Sequence, residues 1–389
     1  MKNIYLKKSN INISEELKLI QFDSSYINVA KNKYILKSYK IFNLKPHEAN
    51  ILKQLCLSLG FDCAVSRDTI MCKCEYTDAL ITASKSQFIK LVDKLKKQPF
   101  RLKQLSSLIS DTLLSKKEPI LINETLFDWS RPYIMGILNV TPDSFSDGGE
   151  HFNIDFAVEH ALKLISQGAD IIDIGGESTK PNAKIVSIDV EIDRVIPIIK
   201  KIREQNKFIP ISIDTRNYKT AKLAIEAGAN IINDVSGLDY DENLFDYVSE
   251  NNIPVIIMHS DNVPANSEDF IDTDIIEEIY FNLTNKIKKL IEKGHSKHNI
   301  IVDVGIGFGK SQQTNFDILK RLDEFTSLGV PMLLGISRKS FIRNEFNIDF
   351  NEADIVTALY SSMMKSVDIH RVHNVELTKK YIDFTKKIN

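Results

Sequence analysis

Eight short apolar, β-branched runs in the second part of the chain each end at, or lead into, side chains that could do chemistry. The first ends in Asn139. The second carries Asp173 near its end, and the third ends in Asp214. The fourth ends in Asn233-Asp234, the fifth in His259 and the sixth in Asp303. The seventh runs into Ser337-Arg338-Lys339-Ser340, and the eighth supplies Arg371 and His373. Any one of these alone reads as a satisfied core polar group or a helix N-cap. All eight at corresponding positions read as one polar site. Carboxylates there would accept N–H donors with charge-assisted strength, and asparagine would offer both a donor and an acceptor. The four cysteines, Cys56, Cys63, Cys72 and Cys74, all lie earlier, so a cysteine nucleophile is excluded from this part.

The elements that must position these residues repeat regularly. The runs are Tyr133–Asn139, Ile171–Gly175, Ile209–Asp214, Ile231–Asn233, Val255–Met258, Ile300–Asp303, Met332–Gly335 and Ile369–Val372. Amphipathic stretches of helical period alternate with them, clearest at Phe156–Gln167, Val190–Glu204, Thr220–Ala227, Ile275–Glu292 and Ala353–Lys365. Gly168, Gly228 and Gly294 stand where a left-handed helix end is wanted. Alternating β and α elements demand parallel strands with right-handed crossovers. Eight such units predict an α/β chain with a closed (β/α)8 TIM barrel, whose functional groups gather at the C-terminal ends of the strands. An open doubly wound sheet is the alternative, but it has fewer repeats. The loop Thr141–Gly149 after the first strand is long for its place and reads as a lid.

The first part differs in character. Residues 1–130 hold 21 Lys and Arg against 13 Asp and Glu, whereas the remainder holds 29 against 39. The basic part lacks nucleic-acid motifs and reads as a solvated lysine-rich surface, with no nucleic-acid partner. Pro46–Leu59 and Lys85–Lys96 read as helices, Phe61–Val65 and Ile70–Cys74 as a hairpin, and Ala79–Ala83 as a strand. Residues 98–125 read as a helical connector. The expected division is a small α+β N-terminal domain with its connector over 1–125, and the barrel over 126–389. On a strand Cys72 and Cys74 would point the same way, but their spacing matches no strong zinc pattern, so all four read as thiols of a reducing compartment. No run approaches the ~18 apolar residues of a membrane span, and MKNIYLKKSN has no apolar segment after its lysines. The expectation is a cytoplasmic protein with no membrane partner.

The motifs that carry the polar residues resemble those of the dihydropteroate synthases, a family of pterin-binding enzymes. Met135–Gly149 (MGILNVTPDSFSDGG) is similar to the family's first signature, and Asp173–Pro181 to its second. Further matches are Ser212–Thr215, Ile232–Gly237, Asp303–Lys310, Gly335–Ile342 and Arg371–Val375, in the family's order. The resemblance covers about residues 130–389; the part before it is an additional domain of unassigned role. It implies a transferase of folate synthesis that joins 7,8-dihydropterin-6-ylmethyl diphosphate to p-aminobenzoate, releasing pyrophosphate, and that is a target of sulfonamides. A homodimer is also implied.

By the same resemblance, Asp214, Asn233, Asp303 and Lys339 would bind the pterin. Asn139, Lys180, Arg371 and His373 would hold the diphosphate, with Asn139 as a ligand of Mg2+. Phe145, Thr179, Pro181, Lys339 and Ser340 would form the p-aminobenzoate pocket. Asp214, Asp303, Lys339, Arg371 and His373 would carry the catalysis. The implied mechanism is SN1-like: pyrophosphate leaves first, the ring spreads the cation's charge, and the amine then attacks. A pterin-dependent methyltransferase shares the barrel, but it needs no diphosphate site.

The chain departs from the family's pattern in places. Lys180 stands where arginine is usual and lacks its bidentate fork. Asn182 replaces a glycine, Val304 a proline and Asn374 an aspartate, and the loop after His259 reads SDNVPAN.

Overall fold

A computed structural model describes residues 12–114, 117–140, 154–177, 186–260 and 274–388. The chain divides into two compact units, Met1–Ser115 and Lys116–Asn389, so the division falls earlier than at 125/126.

The first unit contains a three-stranded antiparallel sheet of β1 (Leu36–Leu44), β2 (Cys63–Val65) and β3 (Thr77–Ser84), with β3 in the centre. Helices Pro46–Ser58 and Lys85–Leu95 pack on the sheet, and Leu102–Leu114 packs against Lys85–Leu95. Leu52, Cys56, Ile81, Phe88, Leu91 and Leu102 are fully buried in their common core. Leu102–Leu114 is therefore not part of a connector: Leu102, Leu105 and Ile109 belong to this core. The hairpin expected at Ile70–Cys74 does not form. Ser66 caps a single helical turn, Arg67–Ile70, and Cys72 has φ +53°, so Cys72 and Cys74 do not share a strand face. Strand β2 pairs with β3 instead.

The second unit opens with a small hairpin, β4 (Ile120–Ile122) and β5 (Thr125–Phe127). Eight parallel strands then close in sequence order: β6 (Tyr133–Asn139), β7 (Ile171–Gly175), β8 (Ile211–Asp214), β9 (Ile231–Asp234), β10 (Val255–Met258), β11 (Ile300–Asp303), β12 (Met332–Leu334) and β13 (Ile369–Val372), which pairs back to β6. This is the expected (β/α)8 barrel, and the principal helices lie within a few residues of their expected bounds. Gly168, Gly228 and Gly294 all have positive φ at the ends of their helices.

Strand period two sorts the barrel's residues. Ile134, Ile172, Ile213, Ile232, Ile257 and Val302 face the helices. The alternate positions face inward. Near the N-terminal ends these are Met135, Ile171, Ile231, Ile256, Ile301 and Ile369, packed against Phe127 of the hairpin. Further along the same inward rows stand Asp173, Asp214, Asn233, Asp303 and Arg371. The barrel interior is thus an apolar floor under a polar mouth. Among the described residues, no helix is long and apolar enough to cross a membrane.

Candidate active site

Register sets the depth of each polar group. Gly175 lies opposite both Asn139 and Asp214, and Asp214 lies opposite Asn233, so these residues share one level at the mouth. Asp173 is one inward step deeper, opposite Ser212.

Arg371 crosses the mouth from β13. Its Nε donates to Asp173 Oδ2 at 2.6 Å, and its Nη2 donates to Asp214 Oδ2 at 2.6 Å. Asn233 Nδ2 donates to the same Asp173 carboxylate, at 3.3 and 3.4 Å from its two oxygens. Burial pushes the Asp214 carboxyl up to about 7; the Asp173 and Asp234 charges add to this, and Arg371 opposes it. Burial also raises Asp303, whose Oδ1 accepts the Gly305 N–H at 2.7 Å. Lys339 reaches in from the loop after β12, with Nζ 4.0 Å from the centre of the Phe308 ring. Burial, helped by the Arg371 charge, lowers its ammonium to about 8. Burial opposes the Arg371 charge too, but Asp173 and Asp214 hold it above the usual guanidinium range.

His373 lies just past β13, where its Nδ1 is 2.9 Å from Ser337 Oγ. Asn139 ends β6, half-buried. Ser340 is exposed and begins the seven-residue helix Ser340–Phe346. The structure therefore brings Asp214, Asn233, Asp303, Lys339 and Arg371 together at the barrel mouth. Phe145, Thr179, Lys180 and Pro181, together with Asn182, the Thr141–Gly149 loop and most of the SDNVPAN loop, lie outside the described residues.

Several candidates hold the scaffold instead. Asp234 accepts from Ser236 N and Oγ and from Leu238 N, at 2.7 to 2.9 Å, and so pins the loop after β9. Arg338 is paired to the buried Asp354 through two bonds of 3.0 and 2.8 Å. Burial lowers His259 to about 3, with Lys310 and Lys286 adding to the effect, so its ring is neutral. Asn374 accepts from Leu377 N at 3.0 Å, a cap that an aspartate would make equally well.

Asp173 was legible as a polar residue near a strand end, but its pairing with Arg371 and Asn233 was not. Glu177 was missed. Its carboxyl is raised by burial, it accepts from the Val186 N–H, and it lies 3.4 Å from Arg216. The GGE run beside Asp173 was the available signal.

Comparison with known proteins agrees with this geometry. The pterin binding enzyme family model matches residues 135–373. A probable bifunctional folylpolyglutamate synthase/dihydropteroate synthase of Haloferax volcanii is 38% identical over 344 residues. That match covers 84% of this chain, more than the barrel unit alone can supply, but the chain spans only 40% of that relative's length. Dihydropteroate synthase of Clostridium beijerinckii is 44% identical over 248 residues, covering 63% of this chain and 90% of the relative. The solved structure of Xanthomonas albilineans dihydropteroate synthase with 4-aminobenzoic acid superposes with a TM-score of 0.65 at 34% identity, covering 70% of this chain and 98% of that one. The chain belongs to the dihydropteroate synthase family of pterin binding enzymes, with an N-terminal unit added to the barrel.

Proposed function

We propose that the chain is a dihydropteroate synthase, joining 7,8-dihydropterin-6-ylmethyl diphosphate to p-aminobenzoate and releasing pyrophosphate. The observation that carries this reading is the pair Asp214 and Asp303 at the barrel mouth, with Arg371 bonded to Asp214 and the Lys339 and Arg371 charges acting on Asp303. A pterin presents an edge of N–H donors, and paired carboxylates with an asparagine amide suit it. Arg371 and Lys180 supply positive groups for the diphosphate, and His373 supplies a ring hydrogen bond to it. Holding the departing pyrophosphate is the main electrostatic demand on the protein. The reaction is SN1-like, and no side chain acts as a nucleophile. Phe145, Thr179, Pro181, Lys339 and Ser340 border the p-aminobenzoate, and a sulfonamide would compete there.

Asn139 would hold Mg2+. Its single neutral amide oxygen suits a cation whose other ligands are waters and phosphate oxygens. When bound, the ion would neutralise charge on the leaving pyrophosphate.

The functional unit is a homodimer in a cytoplasmic setting. Ile355, Leu359 and Met363, spaced along one face of helix Phe350–Met363, are each about half-exposed or more. A second copy would cover such an apolar row. Light scattering on the wild type and on Leu359→Glu tests this, with a monomer expected for the variant only.

Incubation with both substrates and Mg2+, followed by assay of pyrophosphate and dihydropteroate, tests the activity. If neither product forms, the reading fails.

A further inference from the structure

We propose that Asp173 is a positioning residue that sets Arg371 and Asn233 for the reaction without touching either substrate. The proposal rests on the synthase reading above. Asp173 is fully buried on the inner wall, one level beneath the mouth. Its carboxylate accepts from Arg371 Nε at 2.6 Å and from Asn233 Nδ2 at 3.3 Å.

A guanidinium has one Nε–H and two terminal nitrogens, and here different carboxylates take them. Asp173 takes the Nε–H, and Asp214 takes Nη2 at 2.6 Å. Ring donors of a pterin need the oxygens of Asp214. Their arrival releases Nη2, while Asp173 keeps its hold on Nε. Arg371 then turns about a fixed point, and its two terminal nitrogens meet the diphosphate as a planar fork. The same carboxylate draws the Asn233 NH2 inward, which leaves the amide oxygen for a ring donor. One buried charge thus sets groups carried by β9 and β13. Without it, Asp214 becomes the remaining anchor of Arg371, and the ring donors must compete for it.

Asp173→Asn keeps the shape and removes the charge. We expect KM for the pterin diphosphate to rise about tenfold or more, with KM for p-aminobenzoate changed less than about twofold. In an Arg371→Lys background, which lacks Nε, the same change should cost less than about threefold, because coupled residues are not additive. A merely structural role would move both KM values, or act equally in both backgrounds, and either result overturns the proposal. Calorimetry with Mg2+-pyrophosphate reads the same coupling without turnover, and Asp173→Asn should bind it about tenfold more weakly. Asp173→Ser, in which a water can take the Nε–H, serves the same measurements if Asp173→Asn does not fold. Wild-type turnover alongside unchanged KM and pyrophosphate affinity in the variants overturns this inference and leaves the synthase reading standing. A wild type that makes no dihydropteroate, yet binds pyrophosphate in an Asp173-dependent way, supports the inference and removes the synthase reading.

Discussion

Ser337 and His373 hold each other twice. Ser337 Oγ accepts the backbone N–H of His373 at 3.1 Å and lies 2.9 Å from its Nδ1. A hydroxyl has one proton; donated to Nδ1, it leaves the proton of a neutral ring on Nε2. The contact therefore fixes the ring's orientation at the mouth. Ser337→Ala should weaken pyrophosphate binding by about 0.5–1.5 kcal/mol, the net worth of one hydrogen bond. Calorimetry with Mg2+-pyrophosphate checks this, and an unchanged affinity would show that the ring is oriented by something else.

The pH profile follows from two shifted groups. Asp214 titrates at about 7 and Lys339 at about 8. Below about 7 the Asp214 carboxyl takes a proton and ceases to be a charged acceptor. Above about 8 the Lys339 ammonium loses one. The kcat/KM for the pterin diphosphate should be bell-shaped, each limb falling about tenfold per pH unit. Asp214→Asn should be slow with no acid limb of this origin, and Lys339→Arg should move the alkaline limb upward. The linkage has the opposite sense for folding. The folded state holds the Asp214 proton more tightly than the unfolded chain does, so this contribution to stability is present below ~3.9 and is lost as pH rises through the folded value. Thermal melts of the ligand-free chain between pH 4 and 8 measure it.

The barrel was legible because its strands are short apolar runs, evenly spaced and punctuated by helix-ending glycines. Asp214, Asn233 and Asp303 were legible because strand ends face the mouth in such a barrel. The pairings within the barrel unit were not. Arg371 lies 198 residues after Asp173, and Asp354 lies 16 residues after Arg338, so no local spacing announces either pair. The β4–β5 hairpin has strands of three residues, too short to show a period, and its stability comes from the barrel floor it fills. Ile70–Cys74 misled because its alternation is strand-like, while the Ser66 cap and the left-handed Cys72 make a helical turn and a bend.

The floor hairpin is testable by truncation and by substitution. Ile120, Ile122 and Phe127 are buried with inward residues of β6, β7, β9 and β10. A fragment beginning at residue 116 should be soluble, and one beginning at residue 130 should aggregate. Phe127→Ala should cost about 3–5 kcal/mol in urea unfolding, as large-to-small changes in a core do. Solubility of the shorter fragment would mean that the barrel closes without its plug.

Asp303 and Gly305 separate chemistry from scaffold two residues apart. Asp303→Asn removes a charged acceptor from the mouth and leaves the backbone free to keep its path. Pterin affinity should fall by about 1.5–3 kcal/mol, the worth of a hydrogen bond to a charged group. The melting temperature should change little. Gly305 has φ +71°, and a Cβ there would stand 1.8 Å from the carbonyl oxygen of His259. Its N–H also donates to Asp303 at 2.7 Å. In Gly305→Ala the backbone must move, which breaks that bond and shifts the segment that carries Phe308 beneath Lys339. This variant should lose both stability and pterin affinity. Calorimetry with a pterin ligand and thermal melts of both variants decide the matter. An Asp303→Asn protein that is folded and binds pterin normally would take Asp303 out of the pocket, whatever Gly305→Ala does.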